Sequence, residues 1–328
     1  MKIYFAPMEG ITGYIYRRIY QEHFGYIDKY FAPFISPADN CAINPKERKD
    51  VLPENNENIR LVPQILTCKS HHFIDTVKVL QEMGYTEVNL NLGCPSGTVC
   101  AKGKGAGFLP ETDKLKHFLY DIYSYGAAHG VSISVKTRLG YFHPDEFYDL
   151  IEIFNQYPIK ELIVHPRIRT DYYKGLPRYE YFSYAISHSK NPLIYNGNIF
   201  CTEDYTQTVN RLQIIQSDSV MQNKIKTSMD CVMLGRGLLF HPGLARELVS
   251  GEKEKKSFSD KQFWKMHDSI FYAYKQVFSP DIQIMHHMKE LWAYWEIRFP
   301  ERNRELKNIR KAKKCMEYES AIRQLRCS

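Results

Sequence analysis

Cys94 lies in Asn89-Leu90-Asn91-Leu92-Gly93-Cys94-Pro95, where an alternating strand-like run meets a glycine, a thiol and a proline. A second glycine-rich turn, Lys102-Gly103-Lys104-Gly105-Ala106-Gly107, follows directly. A strand that stops at Gly93 presents its next side chain at its carboxyl end, and Pro95 offers no backbone donor, so the thiol is held at a rim and not in a core. A reactive cysteine needs exposure of that kind, whereas the ordinary lone cysteine is a small buried apolar residue. Other strand-like runs end in Pro7-Met8-Glu9-Gly10, Gln64, Lys136 with Arg138, His165 with Arg167, Asn196-Gly197-Asn198 and Gly235-Arg236-Gly237. Any one of these groups has a structural reading as a satisfied polar residue. Together, a thiol, an amide, an imidazole and several cations suit proton transfer on a polar or anionic ligand. Lys136, set among apolar neighbours in Ser134-Val135-Lys136-Thr137, is of a type rarely left there without an anionic partner.

These residues need a scaffold that gathers strand ends. Strand-like runs occur at Ile3–Pro7, Tyr30–Ile35, Leu61–Leu66, Glu87–Leu92, Ser132–Thr137, Glu161–His165, Leu193–Tyr195 and Cys231–Leu234. Helix-period segments such as His72–Met83, Thr112–Tyr125 and Asp145–Gln156 lie between them at lengths that suit crossover connections. Eight such units in about 250 residues predict an α/β fold, a (β/α)8 TIM barrel, with its site at the carboxyl ends of the strands. A doubly wound open sheet is the alternative, but no Gly-x-Gly-x-x-Gly follows the first strand. In a barrel the turns after the last two strands commonly bind phosphate, which gives Asn196, Gly197, Asn198, Gly235 and Arg236 a candidate role. The polar stretch Asp39–Glu57 reads as a loop or short helix, and Gln213–Asp230 as an insertion before the last strand. The barrel is expected over residues 1–251 and a small all-helical C-terminal domain over residues 252–328.

The chain has 328 residues and a net charge of +7, and residues 257–328 hold 14 Lys and Arg against 9 Asp and Glu. That bias points to a polyanionic partner, although a solvated helical face also accounts for basic stretches. No apolar run reaches the roughly 18 residues needed to span a bilayer, so a cytoplasmic protein with no membrane partner is expected. The eight cysteines include no Cys-x-x-Cys or other metal-site spacing, and no metal is expected. Met285, Met288, Trp292, Trp295 and Phe299 recur at steps of three and four, which predicts a buried helical stripe.

Seven segments in order carry a resemblance: Ala6-Pro7-Met8-Glu9-Gly10, Val62-Pro63-Gln64, Asn91-Leu92-Gly93-Cys94-Pro95 with Gly105-Ala106, Val135-Lys136-Thr137-Arg138, Val164-His165-Pro166-Arg167, Asn196-Gly197 and Val232-Met233-Leu234-Gly235-Arg236-Gly237. Over nearly its whole length the chain resembles the flavin-dependent tRNA-dihydrouridine synthases. The resemblance implies FMN across the barrel mouth, with Pro7, Met8 and Glu9 among its contacts and Gln64 on its polar edge. Lys136 and His165 would lie near the ring, and Asn196, Gly197, Asn198, Gly235 and Arg236 near the phosphate. It also implies NADPH as reductant, a tRNA uridine as substrate and a helical tail that grips the RNA. Cys94 would then be the acid that protonates C5 of the uracil while hydride reaches C6; a thiol of pKa about 8.5 is protonated at neutral pH yet yields its proton readily. Asn91, Lys102, Lys104, Arg138 and Arg167 are the expected substrate contacts, the two lysines toward RNA phosphate. A monomer is expected. The alternatives are an FMN barrel oxidoreductase acting on a free pyrimidine, which has no need of a basic tail, and a non-catalytic RNA-binding barrel protein.

Overall fold

In a computed structural model of the chain, residues 1–215, 224–225, 227–251 and 260–327 are described. The expected domain boundary near residue 252 and most of the expected insertion lie outside the described residues. Nine parallel strands form one sheet: β1 (Lys2–Phe5), β2 (Lys29–Phe31), β3 (Leu61–Val62), β4 (Gln64–Ile65), β5 (Glu87–Leu92), β6 (Ser132–Gly140), β7 (Leu162–Ile168), β8 (Leu193–Tyr195) and β9 (Cys231–Leu234). Their order is β3-β2-β1-β9-β8-β7-β6-β5-β4. Only Pro63 separates β3 from β4; β3 pairs with β2 and β4 with β5, while the Pro63 carbonyl still accepts from the Asn89 amide at 2.9 Å. The two ends are therefore one strand interrupted where proline has no donor, and the sheet closes into an eight-stranded barrel.

The period-two alternation of the strands decides what faces inward. Tyr4, Ala6, Phe31, Val62, Ile163, Ile194 and Met233 form a small apolar cluster inside the barrel, while the residues between them, such as Phe5, Val164 and Leu234, join the larger core under the helices. Below the inner cluster Lys29 Nζ contacts Glu87 at 2.6 Å and Glu161 at 2.9 Å, and Tyr4 donates to Glu161 at 2.6 Å. Above it the inward residues turn polar: Gln64, Asn89, Asn91, Ser134, His165 and Asn196 are all buried. The chain thus plugs its barrel with ions at the bottom and apolar groups in the middle, and leaves chemistry for the top.

Strands β6 and β7 run further than the sequence pattern predicts, taking Arg138 and Arg167 into the ladder. Proline at 166 does not end β7, because the register shifts between Arg138 and Gly140 and the extra residue is absorbed as a bulge. Helices Ser70–Glu82, Thr112–His129 and Glu146–Phe154 cover the barrel where the periodicity predicts them. The stretch after β2 holds a short helix, Pro45–Val51, whose N-cap Asn44 and Glu47 exchange hydrogen bonds.

Beyond residue 259 helices Asp260–Val277, Asp281–Trp295, Asn303–Lys311 and Cys315–Cys327 follow one another. Met285, Met288, Trp292 and Trp295 are buried on the predicted stripe. Trp292 Nε1 donates to the Tyr318 hydroxyl at 2.7 Å, which also lies 2.6 Å from His267 Nε2. These helices dock on the barrel through Tyr14–His23, where Gln262 donates to the His23 carbonyl at 3.0 Å. No helix among the described residues is long and apolar enough to cross a membrane.

Candidate active site

The carboxyl ends of the strands open onto a cavity of about 660 Å³. Of the expected site residues, Pro7, Met8, Glu9, Gln64, Asn91, Cys94, Lys136, Arg138, His165, Asn196, Gly197, Gly235 and Arg236 all line it. Lys102, Lys104, Asn198 and Arg167 do not, for different reasons. Lys102 is exposed on the turn beyond the thiol, and Lys104 points to Ser36, its Nζ 3.2 Å from that hydroxyl. Asn198 sits behind Arg236 and accepts from its guanidinium at 3.2 Å. Arg167, expected among the substrate contacts, is buried behind His165 with Nη1 2.9 Å from its Nε2.

The thiol loop is held by a row of amides that crosses three strands. Asn91 Oδ1 accepts from the backbone amides of Gly93 and Cys94 at 3.0 and 2.9 Å, so its Nδ2 must face Gln64, and it donates to Gln64 Oε1 at 2.7 Å. Gln64 Nε2 then donates to Asn89 Oδ1 at 2.8 Å, Asn89 Nδ2 to Ser134 Oγ at 2.9 Å, and Ser134 to the Val88 carbonyl at 3.3 Å. Backbone groups of fixed polarity at both ends set every amide between them. Asn91 is thereby first a support of the thiol loop. On the far side, Gly105 has φ +58, and a Cβ there would lie 2.9 Å from the Cys94 carbonyl, so only glycine lets the second turn close on the first.

Cys94 is half-buried, and burial pushes its thiol pKa up against the pull of the Ser96 amide. The sulfur therefore keeps its proton at neutral pH. Lys136 moves the other way: burial, then the neighbouring Arg138, bring its ammonium down to about 8, and it has no hydrogen bond or ion pair among the described residues. Arg138 Nε donates to the Gly93 carbonyl at 2.9 Å and Nη1 to Ile168 at 3.0 Å, so it braces the loop as much as it lines the cavity.

His165 is buried, and burial together with Arg138, Lys136, Arg167 and Arg236 holds its pKa well below the ordinary value. Arg167 Nη1 lies 2.9 Å from His165 Nε2. A guanidinium only donates, so Nε2 accepts and the neutral imidazole carries its proton on Nδ1. Arg167 also donates to the carbonyls of Lys174 and Gly175, which fixes the loop that carries Tyr173. The Tyr173 ring lies 4.5 Å from the Arg236 guanidinium and 5.6 Å from that of Arg138.

After β8 and β9 the amides of Gly197, Asn198, Gly235 and Arg236 find no acceptor among the described residues. A Cβ on Gly197 would lie 2.2 Å from the Tyr195 hydroxyl, and one on Gly237 would lie 2.1 Å from the Ile199 carbonyl oxygen. Asn196 Nδ2 donates to the Met233 carbonyl at 2.8 Å and locks the two strand ends together. Arg236 has no carboxylate partner among the described residues. Bare amides beside an unneutralised guanidinium fit a phosphate, and an unpaired ammonium across the cavity fits a second anionic or carbonyl-rich group, so these residues accommodate a flavin mononucleotide. Tyr173, Phe34, Phe200, Phe240 and Tyr294 also line the cavity. The sequence offers Tyr173 only as part of a polar loop after the sixth strand-like run that could meet RNA, and nothing in it points to Phe34, Phe200 or Phe240. Tyr294 has a signal, since it stands off the buried stripe of its own helix; the others sit in segments without periodicity. Among the described residues one group, Asp39, His71 and His72, has metal-ligating spacing, and it lies outside the cavity with Lys69 bound to Asp39 at 2.8 Å.

A closed parallel barrel with a polar cavity at its carboxyl mouth defines an α/β-barrel enzyme. A sequence profile described as dihydrouridine synthase matches residues 4–325. The chain is 28% identical over 274 residues to the "Probable tRNA-dihydrouridine synthase" of Staphylococcus aureus, covering 83% of this chain and 77% of that protein. It is 24% identical over 329 residues to the "tRNA-dihydrouridine(16) synthase" of Vibrio parahaemolyticus, covering 97% and 95%. Among solved structures the old yellow enzyme from Trypanosoma cruzi has the same fold, with a TM-score of 0.53 at 8% identity over 81% of this chain and 92% of that one. The chain belongs to the dihydrouridine synthase family.

Proposed function

We propose that this enzyme reduces a uridine of tRNA to 5,6-dihydrouridine, with FMN as cofactor and NADPH as its reductant. The supporting observation is a thiol kept protonated at the rim of a cavity whose other walls carry Gln64, Lys136, His165 and an unneutralised Arg236. Gln64, Lys136 and the amides near Gly197 and Gly235 would hold FMN, with Arg236 on its phosphate; the reduced cofactor, when bound, supplies the hydride that C6 of the uracil receives. Cys94 Sγ gives its proton to C5 as negative charge builds toward the C4 carbonyl, and a thiol whose pKa is raised by burial holds that proton until it is needed. Lys136, charged below about pH 8, stabilises an anionic ring edge beside it. His165, neutral with its proton on Nδ1, offers a donor without adding charge. Exposed Lys307, Arg310 and Lys311 on helix Asn303–Lys311, and Lys313 and Lys314 in the turn after it, supply RNA phosphate contacts that carry no sequence information. A monomer in the cytoplasm completes the reading.

The test is Cys94→Ala. The variant keeps its yellow cofactor and is reduced by NADPH at the wild-type rate, while dihydrouridine formation in tRNA falls by about 10²–10⁴. Undiminished product in a single-turnover assay would remove Cys94 as the acid.

A further inference from the structure

A second cavity, of about 330 Å³, adjoins the first and shares Glu9, Ile11, Pro33 and Phe34 with it as a partition. Its barrel side is walled by Tyr14 and Phe34, and its far side by Tyr274, Val277, Phe278 and His287 of the C-terminal helices and the turn between them. The far wall is aromatic and preformed: the Phe278 and His287 rings stack at 4.7 Å, and Tyr274 lies 5.1 Å from His287. His287 Nδ1 is buried, makes no hydrogen bond among the described residues and faces Glu290 Oε2 at 3.9 Å. Lys46 and Lys49 stand exposed at the edge, with Lys49 Nζ 5.9 Å from the Tyr14 ring. Three carboxylates line the slot, but Glu47 is held in the Asn44 cap and Asp50 is paired with Arg17 at 3.0 Å, which leaves Glu9 on the partition. A mostly apolar slot with aromatic walls and ammonium groups at its lip is complementary to a nucleotide: the base enters, and the phosphate remains outside with the lysines.

We propose that this cavity seats the base of a nucleotide flanking the uridine that is reduced. The inference rests on the tRNA reading of the neighbouring site and goes beyond it. Continuity across Glu9 and Phe34 places the occupant one step from whatever fills the main cavity. The far-wall helices themselves balance four Lys against four Asp and Glu, but residues 296–328, which follow them directly, hold 10 Lys and Arg against 5 Asp and Glu; with Lys46 and Lys49 at the lip, that favours a segment of RNA over a dinucleotide that needs no such surface. Seating the neighbouring base gives the enzyme a stacking surface that compensates for the stacking given up when a uridine leaves the helix.

The experiment uses the full-length holoenzyme and Val277→Trp, which fills the slot from a position 38% exposed and so spares the core. Substrates are a tRNA transcript and two copies lacking the base on the 5′ or the 3′ side of the uridine that the wild type converts. The expected result is a roughly tenfold loss of kcat/KM with Val277→Trp, mainly through KM, at an unchanged rate of flavin reduction by NADPH. Removing one flanking base costs the wild type a similar factor and costs the variant nothing more. Wild-type behaviour of Val277→Trp on the intact transcript would overturn the proposal, as would losses that simply multiply for both abasic transcripts. Slower flavin reduction with an unaltered KM for RNA would also overturn it, by assigning the slot to the dinucleotide. A wild-type enzyme that makes no dihydrouridine in any tRNA would instead sink the function on which the proposal rests.

Discussion

Cys94 and Lys136 occupy the same wall, and their surroundings move both toward neutrality, the thiol upward and the ammonium downward. For the lysine the sign is testable. A basic group whose pKa is lowered to about 8 is charged below that pH and loses its proton above it, so its attraction for an anionic cofactor fades as the solution becomes alkaline. FMN affinity measured by fluorescence over the alkaline side of neutrality is expected to weaken above about pH 8 in the wild type and to be lower and nearly flat over that step in Lys136→Met. An equal alkaline decline in both proteins would take Lys136 out of the cofactor site. Lys136 is legible in the sequence because a lone cation in an apolar run demands an anion. Arg167 is not, because nothing in Val164-His165-Pro166-Arg167 shows that a bulge carries the strand past its proline and buries the guanidinium behind the imidazole. Tyr173 is legible only as one aromatic of a polar loop that could meet RNA, since its place over two guanidiniums depends on a loop whose shape Arg167 sets from the strand the loop follows.

The strands themselves are readable from alternation alone, and β5, β8 and β9 fall where the pattern puts them. Their carboxyl ends are less so, because a ladder continues as long as its neighbour supplies partners, and β6 and β7 supply each other. The expected phosphate turns depend on how closely β8 and β9 approach at their ends. Gly237 is the tightest point of that approach, with the Ile199 carbonyl oxygen where a methyl group would go. Backbone cannot step aside as a side chain does, so Gly237→Ala is expected to destabilise the fold by about 1–3 kcal/mol and to part the two turns. Lower flavin retention after gel filtration, together with a lower melting temperature, is the outcome that would follow. A variant with full flavin occupancy would separate this packing from the cofactor.

At the scale of the whole molecule, the C-terminal helices combine a buried aromatic seam with an exposed basic face. The seam is legible as a stripe, and the charge as a count; that the helices also wall the cavities is not, because it follows from how they dock on Tyr14–His23. Replacing Lys307, Lys311 and Lys314 together with alanine is expected to weaken tRNA binding at low salt. It should also reduce the slope of log K against log salt by about 0.7–0.9 for each phosphate that is no longer neutralised. An unchanged slope in filter-binding measurements would move the RNA elsewhere on the surface. The row from Ser134 through Asn89 and Gln64 to Asn91 bears on how such a chain can drift under mutation. Exchanging Gln64 for glutamate, or Asn91 for aspartate, swaps a donor for an acceptor inside the row, and two oxygens then confront each other until the next amide turns over. The reversal propagates to the serine, so this wall resists piecemeal editing and must change as a block, whereas interior aliphatics such as Val62 and Ile163 can trade volume one letter at a time.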